Sequence, residues 1–177
     1  MGRNLTAGEI ALAADVYQHS INYERVKVHK KKYLFFQPNN SGMTPNGEIY
    51  VAGDGYSDDY SIFSDVEIKA FFIHEMAHVW QRQNRILNVR MAALLGQFEH
   101  RFKYTRAYPY FMRPDSTLLD YGIEQQASII EDFFRVVKCG GGFCPNRVQN
   151  VCSRDERIEL LLSVLQDFII DPTMPFR

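Results

Sequence analysis

Cysteine is scarce and odd in number in this chain: Cys139, Cys144 and Cys152 among 177 residues. That excludes a disulfide-framed scaffold. The C-x4-C-x7-C spacing lacks paired C-x2-4-C halves, and no nearby His completes four ligands, so a structural zinc knuckle is not indicated. Two readings of the thiols stay open: all free, or one Cys139–Cys144 bridge closing the Gly-rich turn in an oxidising compartment. An excess of one charge is also lacking. Twenty Lys and Arg oppose 21 Asp and Glu, for a net charge of −1, which gives no global attraction to nucleic acid or membrane. No apolar run approaches the ~18 residues of a membrane-spanning helix. The beginning of the chain has no basic-then-apolar leader with a cleavage site, so export by the general secretory route is not expected. No repeat, low-complexity segment or Gly/Ser linker interrupts the sequence. With 46% apolar residues, 1–177 reads as a single domain with a sizeable core.

What is present is a five-residue spacing. Residues 74 to 78 read His-Glu-Met-Ala-His. On a helix, residues four apart share a face with Cβ atoms about 5–6 Å apart, so His74 and His78 can direct one imidazole nitrogen each at a single cation. Glu75, turned about 100° from His74, can place its carboxylate beside the metal as a base for a water rather than as a ligand. Composition alone would supply the pattern in roughly one chain in a hundred, so context has to carry it. Ser64 with Glu67 predicts a capped helix start. Ile68, Phe71, Phe72, Met76, Val79 and Trp80 follow at helical intervals, with Glu75 as the polar interruption of an apolar stripe. A carboxylate there is costly unless a charge or donor waits for it. The bland alternative is two ordinary histidines on an amphipathic helix.

Two histidines do not complete a catalytic zinc site, which uses three protein ligands and keeps a position for water. The extended HExxHxxGxxH form fails, because position 81 is Gln and position 84 is Asn. Candidates for the third ligand are His100, next to Glu99, and the acidic stretch from Asp120 to Asp132. Glu124 is favoured. It follows Ile123 in a second helical pattern (Leu119, Ile123, Ala127, Ile130, Phe134), at the edge of the buried face.

The blocks Leu5–Ala13, Met43–Tyr50, Phe72–Gln81 and Tyr121–Ala127, in that order, resemble the zincin metallopeptidase domains that serve as toxins of type VI secretion systems. Such domains occur at the C-termini of valine-glycine-repeat spike proteins and as stand-alone effectors. The resemblance covers roughly residues 5–135 and ends near 138, before the Cys/Gly-rich loop 139–152. It implies Zn2+ held by His74, His78 and Glu124, with Glu75 as general base. It also implies an antibacterial effector injected without a signal peptide and acting in the periplasm of a target cell. The expected partners are a protein or peptidoglycan-peptide substrate, a cognate immunity protein and a secretion spike as carrier, with no nucleic acid. The alternative from another class is a non-catalytic zinc-binding adaptor or docking module of such a spike.

The expected fold class is α+β, zincin-like and mainly helical, with a small sheet beside the HExxH helix. Thr6 and Glu9 predict a capping box for a helix running to about His19. Strand-like residues follow within Tyr23–Phe36 and over Glu48–Ala52, the latter either an edge strand that could hold substrate backbone or an ordinary internal strand. Val89–Phe102 reads as another amphipathic helix. The rings of Tyr104, Tyr108, Tyr110 and Phe111 read as core or loop, although a tyrosine hydroxyl, with Tyr121 the candidate, could stabilise an oxyanion. Ser153 with Glu156 predicts a C-terminal helix over 153–170. The basic run Lys27, His29, Lys30, Lys31 and Lys32 reads as a solvated strand face rather than a phosphate site. Asp54, Asp58 and Asp59 read as a flexible acidic loop, since the order of a calcium loop is absent.

Overall fold

A computed structural model of the chain describes residues 2–86 and 108–173. It divides into two compact units, Met1–Ile86 and Leu87–Arg177. The predicted helix over Val89–Phe102, with His100, and Tyr104 lie outside the described residues.

The first unit is a small sheet with two helices. Strand β1 (Arg3–Asn4) pairs antiparallel with β2 (Lys27–Lys30), which pairs parallel with β4 (Ile49–Val51); β3 (Gly42–Met43) closes the other side antiparallel to β4. The order is β1-β2-β4-β3. Of the two readings of Glu48–Ala52, the strand takes the internal one, and β1 and β3 are the edges. Ile49, Tyr50 and Val51 are all buried, as an apolar run flanked by two partners requires. The strand expected across Tyr23–Phe36 shrinks to β2, because Gln37 draws the chain beyond it into a turn: its side-chain carbonyl accepts from the Tyr33 N–H and its amide donates to the carbonyls of Ser41 and Tyr50.

Helix α1 (Ala7–Tyr17) starts at the expected Thr6–Glu9 capping box. Glu9 is fully buried and fully engaged. Its carboxylate accepts two bonds from Arg3, at 2.8 and 2.7 Å, and one each from the N–H groups of Thr6 and Tyr60. A buried carboxylate needs this many donors to offset its lost hydration. Helix α2 (Val66–Gln83) carries the HExxH segment. Its cap is Asp65, one residue beyond the expected Ser64, because the Asp65 carboxylate accepts the Glu67 N–H at 2.9 Å. The helix is buried without interruption from Phe72 to Gln81. Tyr17 of α1 donates its hydroxyl to the Ile73 carbonyl at 2.7 Å, and the Tyr60 ring stacks on Phe72. Asn84 closes the far end, donating to the carbonyls of Ser20 and Trp80.

The second unit is built on α3 (Ile123–Phe133), which widens into a π turn over Phe134–Lys138. The expected C-terminal helix begins at the Ser153–Glu156 capping box but is broken: α4 (Arg154–Val164) and α5 (Gln166–Ile170) meet at Leu165, whose ψ of 1° leaves the helical path. A polar cluster lies under the Cys/Gly-rich loop. Asp132 accepts the Tyr110 hydroxyl and the Cys144 N–H, both at 2.6 Å, while Glu131 pairs with Arg135 and Arg147. Burial pushes the Asp132 carboxyl up to about 6. No disulfide joins Cys139, Cys144 or Cys152, so the bridged alternative for the Gly-rich turn is not adopted.

Candidate metal centre

Helix α2 brings His74 and His78 onto one face, with ring centroids 5.1 Å apart and planes at 79°. Both are buried. The Nδ1 atom of His78 lies 2.8 Å from Oε1 of the fully buried Gln81. An Nδ1–H donated there leaves Nε2 as the lone-pair nitrogen, the arrangement by which a second partner fixes the tautomer of a metal-binding histidine. The Gln81 that breaks the three-histidine extension thus has a function of its own.

Glu75 is held by the edge strand and the residue after it. Thr44, itself buried, donates its hydroxyl to Glu75 Oε2 at 2.6 Å. Gly42 leaves the space for the carboxylate: a Cβ built there would sit 2.2 Å from Glu75 Oε1 and 2.3 Å from Cδ. No side chain larger than hydrogen fits with Glu75 where it is. The cost of burying this carboxylate is offset in part by a donor and by a strand that approaches within touching distance.

Glu124 projects from the first turn of α3 and is buried. The two glutamines after it hold that turn in place. Gln125 accepts the Gly122 N–H at 3.0 Å and donates to the Pro109 carbonyl at 2.8 Å, and Gln126 donates to the Tyr121 carbonyl at 2.8 Å. Negative charge in the first turn is also favoured by the helix dipole.

One ligand atom each from His74, His78 and Glu124 lie within 4.8 Å of one another. Two imidazoles and a carboxylate, all buried, form the His2Glu donor set of catalytic zinc sites. The donor set therefore fits the ion that the sequence implied. Tyr121 is buried, and its hydroxyl is engaged by the preceding loop: it lies 2.7 Å from Ser116 Oγ and accepts the Arg113 N–H at 3.2 Å. Nothing in the sequence marks Gly42, Thr44 and Gln81 for these contacts, although Thr44 and Gln81 lie inside two of the resembling blocks.

No family model matches the chain. Over 135 residues it is 39% identical to the type VI secretion system spike protein VgrG2b of Pseudomonas aeruginosa, an alignment covering 75% of this chain. The solved effector domain of P. aeruginosa VgrG2b is similar with a TM-score of 0.66 at 33% identity, covering 84% of this chain and 85% of that one. The chain belongs to the VgrG effector-domain family of type VI secretion. The aligned stretch spans only 13% of the length of the whole VgrG2b spike protein. Within the described residues no helix of this effector domain is long and apolar enough to cross a membrane.

Proposed function

We propose that this effector domain is a zinc-dependent metallopeptidase of zincin type, carried by a type VI secretion spike into a competing bacterium and acting on an amide bond in the periplasm. The observation that carries the reading is the His74, His78 and Glu124 donor set, on a helix that also presents the clamped carboxylate of Glu75. Zinc bound by these three residues would supply an activated water and polarise the scissile carbonyl. Glu75 takes the proton of the attacking water and returns it to the leaving amine, so one carboxylate serves first as base and then as acid. Thr44 and Gly42 keep that carboxylate in a single orientation, and Gln81 keeps the His78 lone pair aimed. A protein and a peptidoglycan cross-link peptide both offer the bond, and a cognate immunity protein would guard the producing cell.

The test is a pair of variants in purified protein. Glu75→Ala should keep its fold and stoichiometric zinc, lose peptide hydrolysis by about 10²–10⁴-fold, and no longer inhibit growth when directed to the periplasm. Full activity in that variant overturns the mechanism. Glu124→Ala should lose zinc; unchanged metal content would transfer the third-ligand role to His100. A Glu75→Ala protein that is still toxic would favour the docking-module alternative.

A further inference from the structure

Beyond β2 the chain runs Lys30-Lys31-Lys32-Tyr33-Leu34-Phe35-Phe36, and it does not bury its rings. Phe35 is 90% exposed, Phe36 43% and Tyr33 41%. Isolated exposed apolar residues are ordinary, but three aromatics within four positions form a patch. The segment is held in a defined shape. Gln37, 1% exposed, is bonded to the Tyr33 N–H and to the carbonyls of Ser41 and Tyr50, and its own N–H donates to the Leu34 carbonyl. The turn between Tyr33 and Gln37 is therefore closed from inside; Tyr33 packs edge-on against Tyr50, and the Phe35 and Phe36 rings are presented outward. Phe35 and Phe36 meet edge to face, 5.0 Å between centroids.

The charge beside the rings has one sign. Lys30, Lys31 and Lys32 are exposed, and none enters an ion pair among the described residues. The Lys30 and Lys31 ammonium groups lie over the rings of Tyr56 and Tyr50, at 5.3 and 5.8 Å. The neighbouring acids are engaged: Glu48 by His29 at 2.8 Å and by the Tyr50 hydroxyl, Asp58 by the Tyr56 hydroxyl. The chain as a whole is nearly neutral, so this cationic surface is local.

We propose that the Lys30–Phe36 loop is a membrane-surface contact that selects anionic lipid. Ammonium groups on flexible stems meet headgroup phosphates, and phenyl rings without hydrogen-bonding groups enter the boundary beneath them. Stable membrane attachment generally needs two signals, for example one apolar and one basic, and this loop joins both. A nucleic acid is the poorer match. The Phe35–Phe36 edge-to-face pair offers no parallel platform for successive bases, and the exposed positions carry no Arg, Asn or Gln to read them.

The experiment is cosedimentation of the whole chain with phosphatidylcholine vesicles, with and without phosphatidylglycerol. The chain should bind the phosphatidylglycerol vesicles, bind pure phosphatidylcholine at least about tenfold more weakly, and be released as salt screens the charges. Each Lys→Gln change among Lys30, Lys31 and Lys32 should weaken binding about fivefold, and the three together about a hundredfold. Phe35→Ser with Phe36→Ser should weaken it at least about tenfold, with an unchanged circular dichroism spectrum. The proposal is overturned by no binding to either vesicle, by equal binding to both, or by binding that neither set of substitutions alters. It is also overturned if the loop substitutions abolish self-association of the chain while vesicle binding is absent.

Discussion

At the scale of single residues, the geometry around Glu75 makes the sharpest predictions. Gly42→Ala would put a methyl group where the Glu75 carboxylate lies. A displacement of about 1 Å at a catalytic group costs on the order of 10²-fold in rate, so kcat should fall by that order with zinc content unchanged, as metal analysis and steady-state kinetics on one preparation would reveal. Thr44→Val should also lower kcat, whereas Thr44→Ser, which keeps the hydroxyl, should restore it; equal rates for the two would remove Thr44 from the site. On the proposed site, Gln81→Leu should leave Glu75 in place and weaken zinc binding about 10–100-fold, measurable by competition with a chromogenic chelator. The positions of His74, Glu75 and His78 were legible because all three lie on one helix and their spacing is their geometry. Those of Gly42 and Thr44 were not. They reach Glu75 from a strand more than thirty positions away, and nothing local in a Gly or a Thr indicates which side chain it will touch.

At the scale of elements, the caps were the most readable features and the strands the least. Thr6 with Glu9 and Ser153 with Glu156 act as reciprocal caps in the places expected, because a capping box is complete within four residues. Strand length and sheet order depend on partners distant in sequence. The turn that ends β2 is decided by a buried glutamine beyond it, and the edge position of β3 by its pairing with β4. The polar cluster under the Cys/Gly-rich loop gives this scale its prediction. The folded state raises the Asp132 carboxyl to about 6, from an ordinary value of 3.8. A carboxyl raised by folding favours the fold below its unfolded value, and that contribution is lost as pH rises through the folded value. Asp132 should therefore contribute up to about 3 kcal/mol at pH ~4 that is gone by pH ~7. In melting curves across that window, Asp132→Asn should gain on the parent as pH rises. A difference between the two that does not vary with pH would contradict the assignment.

At the scale of the whole molecule, a resident ion would act on stability as well as on chemistry. A ligand that binds only the folded chain stabilises it by about 4 kcal/mol at a thousandfold excess over its Kd. Zinc should therefore raise the melting temperature of chelator-treated protein, and the rise should vanish in Glu124→Ala. A shift that persists in that variant would mean that the ion binds elsewhere. Membership of the VgrG effector family accounts for the four ordered blocks, whose residues now have physical roles: a capped first helix locked by Glu9, the strand and loop that touch Glu75, the histidine helix, and a carboxylate whose neighbouring glutamines hold its turn. The absent side chain at Gly42 also offers a way to sort sequences. On the proposed mechanism, a chain with the same two histidines and glutamate but a larger residue at that strand position would have to displace its HExxH carboxylate, and it should hold its cation while turning substrate over far more slowly, closer to a sequestering protein than to a hydrolase.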